Sequence, residues 1–144
     1  MTRFNITLKE GVNMVLWAIE NSKGGEIFVP KLPSYRVVDV AEAIGPNCKK
    51  QFNGTRPGEK IHEEMITASD SMNTFDLGKY YAIIPEEFAG IVKTSKNIYL
   101  KEDTRFKKVP ENFSYSSGNN IDFLSIDSIR KLIRENINSD FVPF

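Results

Sequence analysis

Between Thr7 and Pro30 the apolar residues change period, and that change constrains the fold more than any other feature of the chain. Leu8, Val12, Val15, Leu16 and Ile19 recur on one face of a helix, and Thr7 with Glu10 has capping-box spacing, which predicts a helix over Thr7–Asn21. Gly24-Gly25 stops it. EIFVP (Glu26–Pro30) follows as a short apolar run between a turn and a proline, the pattern of a buried strand. Asp39 and Glu42 suggest a second box opening the helix DVAEAI, which Gly45-Pro46 closes. KKQFNG (Lys49–Gly54) reads as the next strand. Helix, strand, helix, strand in such short order predicts an α/β fold.

Further on, Thr67–Asp76 is polar and reads as a loop, and YYAIIP (Tyr80–Pro85) restores a strand-like run. Order then thins: from Glu86 to Asn120 only NIYL (Asn97–Leu100) reads as extended, so an irregular arm is expected there. Ser125 is placed to cap a last helix over Ile126–Arg134, with Ile126, Ile129 and Ile133 on one face. The expected organisation is an α/β part over 1–85, the arm over 86–120, and a C-terminal helix and tail over 121–144.

Composition narrows the function classes. At 144 residues and 40% hydrophobic content the chain has the size and core of one globular domain. Nineteen Lys plus Arg balance nineteen Asp plus Glu, so there is no broad basic field to draw in nucleic acid or an acidic membrane. Any anion must be met by a few placed residues. With a single Cys48 and no basic-then-apolar leader, a reducing cytoplasm is the expected compartment, where the sequons at Asn5, Asn53 and Asn112 carry no meaning. No apolar run reaches the length of a membrane span.

The stretch NGTRPGEKIHEEMI (Asn53–Ile66) concentrates what chemistry the sequence offers. GTRPGEK fails the phosphate-loop template, because three residues rather than four separate Gly54 from Gly58 and Glu59 precedes Lys60. HEEMI has Ile66 where a zinc helix needs its second His, and the chain has one His in all, so no metal site is expected. His62 reads as a solvated residue at a helix start. No glycine-rich dinucleotide loop occurs. The stretch can, however, bind an oxyanion: Arg56, at the end of the expected strand, offers a planar fork, and Pro57-Gly58 holds the turn. Each charge-assisted hydrogen bond of that kind is worth roughly 1.5–3 kcal/mol. A plain surface turn is the alternative, and Arg3, just ahead of the first helix, has the same two readings.

Five segments together, MTRFNITLKEGVNMVLWAIE, GGEIFVPKLPSYRVVDVAEAI, GTRPGEKIHEEMIT, TFDLGKYYAIIP and VPENFSYSSGNN, resemble the C-terminal part of inverting UDP-N-acetylglucosamine 4,6-dehydratases. These are CapD-like polysaccharide biosynthesis proteins of the extended short-chain dehydrogenase/reductase superfamily. The resemblance runs over nearly the whole chain. It implies a UDP-sugar ligand, with Arg3 and Arg56 on the diphosphate and Glu59, the acidic residue of the Arg-x-Gly-Asp/Glu turn, on the ribose hydroxyls. Glu63 and Glu64 are then supporting or solvated.

The resemblance also exposes a departure. The complete enzymes begin with a dinucleotide-binding half, bind NADP and carry a Tyr-x-x-x-Lys pair. Here Tyr35, Tyr80, Tyr81, Tyr99 and Tyr115 each lack a Lys four residues on. No cofactor site and no catalytic residue is therefore expected in this chain. It resembles the substrate-binding portion of an extended short-chain dehydrogenase/reductase lacking most of the Rossmann half, of use to a separately encoded dinucleotide-binding half or within a homo-oligomer. A stand-alone nucleotide-sugar-binding module, a non-functional remnant, and a capsular-polysaccharide dehydratase/epimerase fragment are the other readings.

Overall fold

The computed structural model describes residues 1–22, 24–85 and 107–144. In chain order its elements are β1 (Thr2–Phe4), α1 (Leu8–Asn21), β2 (Ile27–Pro30), β3 (Ser34–Arg36), α2 (Val37–Ile44), β4 (Glu64–Ile66), a 3-10 helix (Ala68–Asn73), β5 (Thr74–Asp76), β6 (Tyr80–Ile83), β7 (Lys107–Lys108), β8 (Tyr115–Ser116) and α3 (Ile126–Asn136). The mixture of helix and strand is the expected one, and β1 with β3, β2 with β6, β5 with β6 and β5 with β7 pair antiparallel. NIYL and most of the arm lie outside the described residues, and the rest of the arm carries β7 and β8. Among the described residues no helix is long and apolar enough to cross a membrane. The chain forms two interleaved units, one of residues 1–7, 32–63 and 116–144, the other of residues 8–31 and 64–115.

In the first unit β1 pairs with β3, with Thr2 opposite Arg36 and Phe4 opposite Ser34. Ser34 is fully buried and its polar atoms are satisfied: its N–H donates to the Asp122 carbonyl at 2.8 Å, its carbonyl accepts from the Leu124 N–H at 2.8 Å, and its hydroxyl accepts from Asn120 at 2.9 Å. α2 begins two residues before the expected box. Arg36 is its N-cap with no side-chain capping bond, and Asp39 instead accepts from the Arg36 guanidinium at 2.7 Å. Gly45 does end the helix. α3 is capped by Ser125, which accepts the Ser128 N–H at 3.2 Å as the sequence predicts. The two helices meet through fully buried Ala43 and buried Ile129, while Arg130 donates to the carbonyls of Ala43 and Glu42 at 3.1 and 3.4 Å, occupying the free carbonyl end of α2. Between α2, α3 and the tail lies an apolar cavity of about 450 Å³ lined by Tyr35, Val40, Ile44, Ile133 and Phe141, among others. KKQFNG is not a strand: no pairing forms there and Phe52 is 83% exposed.

In the second unit a four-stranded sheet runs in the order β2-β6-β5-β7. EIFVP supplies β2, whose Val29 is buried, and YYAIIP supplies β6, whose Tyr80 and Ala82 are buried by strict alternation. Trp17 of α1 packs edge-on to Phe28 at 5.1 Å and against Tyr80 at 4.5 Å. Yet α1 has no buried residue, and its expected apolar stripe faces outward: Leu8 is 86% exposed and Ile19 71%. Lys31 bonds Asp76 at 2.6 Å and lies over the Tyr81 ring, while burial, then the Asp76 charge, then Tyr115, push the Tyr81 phenol up.

The expected loop over Thr67–Asp76 is instead the 3-10 helix followed by β5, with Ser71 and Thr74 buried. Polar residues can be interior here because each hydroxyl finds a local carbonyl: Ser71 donates to Ala68 and Thr74 to Asp70, both at 2.7 Å. The Asp70 carboxylate accepts the Thr67 hydroxyl at 2.6 Å and the Thr67 N–H at 3.0 Å, in that order the causes that hold its pKa below the usual carboxylate value. A depressed folded-state pKa stabilises above the unfolded value, and the contribution is lost as pH falls through the folded one. Asp70→Asn is therefore expected to cost about 0.5–1 kcal/mol at neutral pH, the worth of a helix-start bond at an exposed site. The cost should vanish in acid, and a pH-independent difference in urea midpoint between the two proteins would contradict the assignment.

Candidate functional site

Arg56 sits on a turn closed from both ends. The Glu59 N–H donates to the Arg56 carbonyl at 3.0 Å, and the Glu59 carboxylate accepts the Arg56 N–H at 3.0 Å. Pro57 and Gly58 occupy the central positions, and Gly58 has φ +78°, the value a type II turn needs at its second central residue. The expected rigid Pro-Gly turn is thus present, although no strand precedes it: residues 51–60 are all exposed. The Arg56 guanidinium has no hydrogen bond or ion pair among the described residues, while Glu59 spends one carboxylate oxygen on the turn.

Arg3, in the middle of β1, is brought to the same loop. Its Nη2 donates to the Lys60 carbonyl at 3.0 Å, its Nη1 to those of Ile61 at 3.4 Å and Thr2 at 2.7 Å, and its Nε faces the Glu63 carboxylate at 3.3 Å. Glu63 is therefore a supporting residue, while Glu64 is an exposed member of β4. The two arginines singled out by sequence, 53 residues apart, meet at one segment, Arg56 opening the turn and Arg3 holding Lys60, Ile61 and Glu63 beyond it.

His62 corrects the expectation of a solvated helix start. It is exposed, but it lies in a bend before a strand, and its Nδ1 is 2.8 Å from Thr2 Oγ1. Thr2 Oγ1 is in turn 2.7 Å from Ser117 Oγ, which accepts the Glu63 N–H at 2.9 Å. Gly118 has to be small: a Cβ there would stand 2.6 Å from the imidazole ring. The sequence carries no signal for Thr2, Ser117 and Gly118, since a contact over 115 residues leaves no periodicity.

Among the described residues no group of three or more His, Cys, Asp or Glu could hold an ion. The glycines with positive φ, Gly24, Gly25, Gly54, Gly58 and Gly78, lie in turns and loops, none opening a helix as a phosphate-cradling turn would. Among the described residues these glycines make no cradle that would fit a dinucleotide such as NADP.

Residues 1–85 match the model of the polysaccharide biosynthesis protein family. A UDP-N-acetylglucosamine 4,6-dehydratase (inverting) from Campylobacter jejuni subsp. jejuni serotype O:2 is 43% identical over 120 residues, which cover 83% of this chain and 36% of that protein. A UDP-glucose 4-epimerase from Rickettsia canadensis is 41% identical over 87 residues, 58% of this chain and 26% of that protein. The X-ray structure of Pen from Bacillus thuringiensis superposes with a TM-score of 0.71 at 25% identity, over 99% of this chain and 40% of that one. The chain spans well under half the length of the proteins it matches, and by the family match over more than half of its own length it belongs to the polysaccharide biosynthesis protein family.

Proposed function

We propose that this chain is the UDP-sugar-binding portion of a UDP-N-acetylglucosamine 4,6-dehydratase, inverting at C5, that serves pseudaminic acid or surface-polysaccharide synthesis. The observation that carries this reading is the Arg56 fork, without a partner among the described residues, on a turn whose conformation is fixed at both ends. A pre-set turn loses little conformational freedom on binding, and a guanidinium is shaped to take two phosphate oxygens at once. Arg3 is the second cation on the diphosphate; most of its donors hold the loop, so it offers mainly charge. Glu59 has one carboxylate oxygen not used by the turn, which is free for a ribose hydroxyl.

Hydride transfer and proton abstraction in such an enzyme belong to NADP and a base, and Tyr-x-x-x-Lys does not occur in this sequence. The chain alone is therefore expected to bind UDP-sugar without turning it over. The similarity to a UDP-glucose 4-epimerase favours a second reading, a dehydratase/epimerase fragment of capsular polysaccharide synthesis, which would use the same diphosphate grip. Calorimetric titration with UDP, UMP and uridine tests the proposal. UDP is expected to bind at least about tenfold more tightly than uridine, with an affinity that falls as salt rises. Uridine binding as well as UDP would remove the diphosphate from the account.

A further inference from the structure

We propose that Ser117, Thr2 and His62 form a positioning relay that fixes the exit of the Arg56 turn, so that affinity for the diphosphate depends on residues that never touch it. This inference rests on the UDP-sugar reading of the same loop.

The loop has few other supports. Among the described residues no hydrogen bond from Gln51 to Gly58 reaches beyond the loop itself, and upstream the nearest tie is the partly exposed Lys50–Glu42 ion pair at 2.6 Å. Downstream the hold is dense. The Thr2 N–H donates to the Ile61 carbonyl at 3.0 Å and the Ser117 N–H to the Glu63 carbonyl at 2.7 Å. Between those two backbone ties runs the hydroxyl chain.

Its direction follows from proton counting. Ser117 Oγ, fully buried, accepts the Glu63 N–H, which leaves its own proton for Thr2 Oγ1; Thr2, 7% exposed, then has its proton for His62 Nδ1. Run the other way, the chain would leave the Ser117 proton in a buried site without an acceptor among the described residues, the costlier arrangement. His62 thus ends the relay as an acceptor, and the bare backbone of Gly118 lets the ring come close enough to do so. Removing any member leaves a polar group unpaired and frees the segment that carries Arg56.

The test uses the whole chain, UDP as probe, and amide exchange at Arg56 and Glu59, the two amides that the turn hydrogen-bonds, as a second readout. Ser117→Ala is expected to weaken UDP binding about fivefold and to speed exchange in the loop about tenfold, with Thr2→Ser, which keeps the hydroxyl, close to the parent. Should Ser117→Ala fail to fold, His62→Phe serves: it alters an exposed side chain, keeps a ring over Gly118, removes the acceptor, and is expected to weaken binding about threefold. Arg56→Ala in parallel separates the two claims. If Arg56→Ala leaves affinity unchanged, the diphosphate reading fails. If Arg56→Ala weakens binding while the folded relay variants keep both affinity and slow exchange, the relay is only structural and the inference is overturned. Faster exchange with unchanged affinity overturns it as well.

Discussion

Arg56→Ala is expected to lower affinity for UDP by about one to two orders of magnitude, the loss of one or two charge-assisted hydrogen bonds from a pre-formed site. The magnitude follows from what the guanidinium does without ligand. It has no intramolecular partner among the described residues, so truncating it breaks nothing in the free chain and the whole cost falls on binding. Thermal stability should stay within about 0.5 kcal/mol of the parent, as for surface substitutions generally. Arg3→Ala should show the opposite balance, because its contacts to Lys60, Ile61 and Glu63 are lost with it: stability and affinity fall together. His62→Ala removes only the end of the relay and should cost about threefold in affinity. Equal losses for Arg56→Ala and His62→Ala in the same titration would end the diphosphate assignment.

How far the sequence foretold this site depends on the range of the interactions. Turn chemistry is local, so Pro57-Gly58 could be read directly, and Gly58 indeed takes the positive φ that the turn requires. The same holds for the Ser125 cap and for the alternation that buries Tyr80 and Ala82. KKQFNG was misleading because an extended run is a strand only if another edge pairs with it, and none does. Thr67–Asp76 was misleading for the reverse reason. A polar run reads as a loop, whereas Ser71 and Thr74 are buried with their hydroxyls satisfied one turn back. Arg3 and Arg56 could be named but not joined by spacing, and the Thr2–Ser117 contact that steadies their loop spans most of the chain.

Trp17→Ala is expected to cost about 3 kcal/mol of stability, the low end for a large aromatic truncated where burial is incomplete. Leu16→Ala, one residue away in the same helix, should cost under about 0.5 kcal/mol. The contrast comes from the two sides of α1. Gly11, Met14, Trp17 and Ala18 form the partly covered side, with Trp17 resting on Phe28 and Tyr80. Leu8, Val12, Val15, Leu16 and Ile19 form the roughly opposite side, each at least half exposed. An amphipathic surface helix puts polar residues where α1 has this second stripe, so α1 has the composition of a helix with a layer on each side. The sheet of β2, β6, β5 and β7 supplies one layer. The stripe should therefore bind a hydrophobic dye, and Leu16→Lys should reduce that binding with little change in urea midpoint. A Leu16→Ala cost approaching that of Trp17→Ala would mean that the stripe is covered in solution, and a stability that rises with protein concentration would show that other copies of the chain cover it.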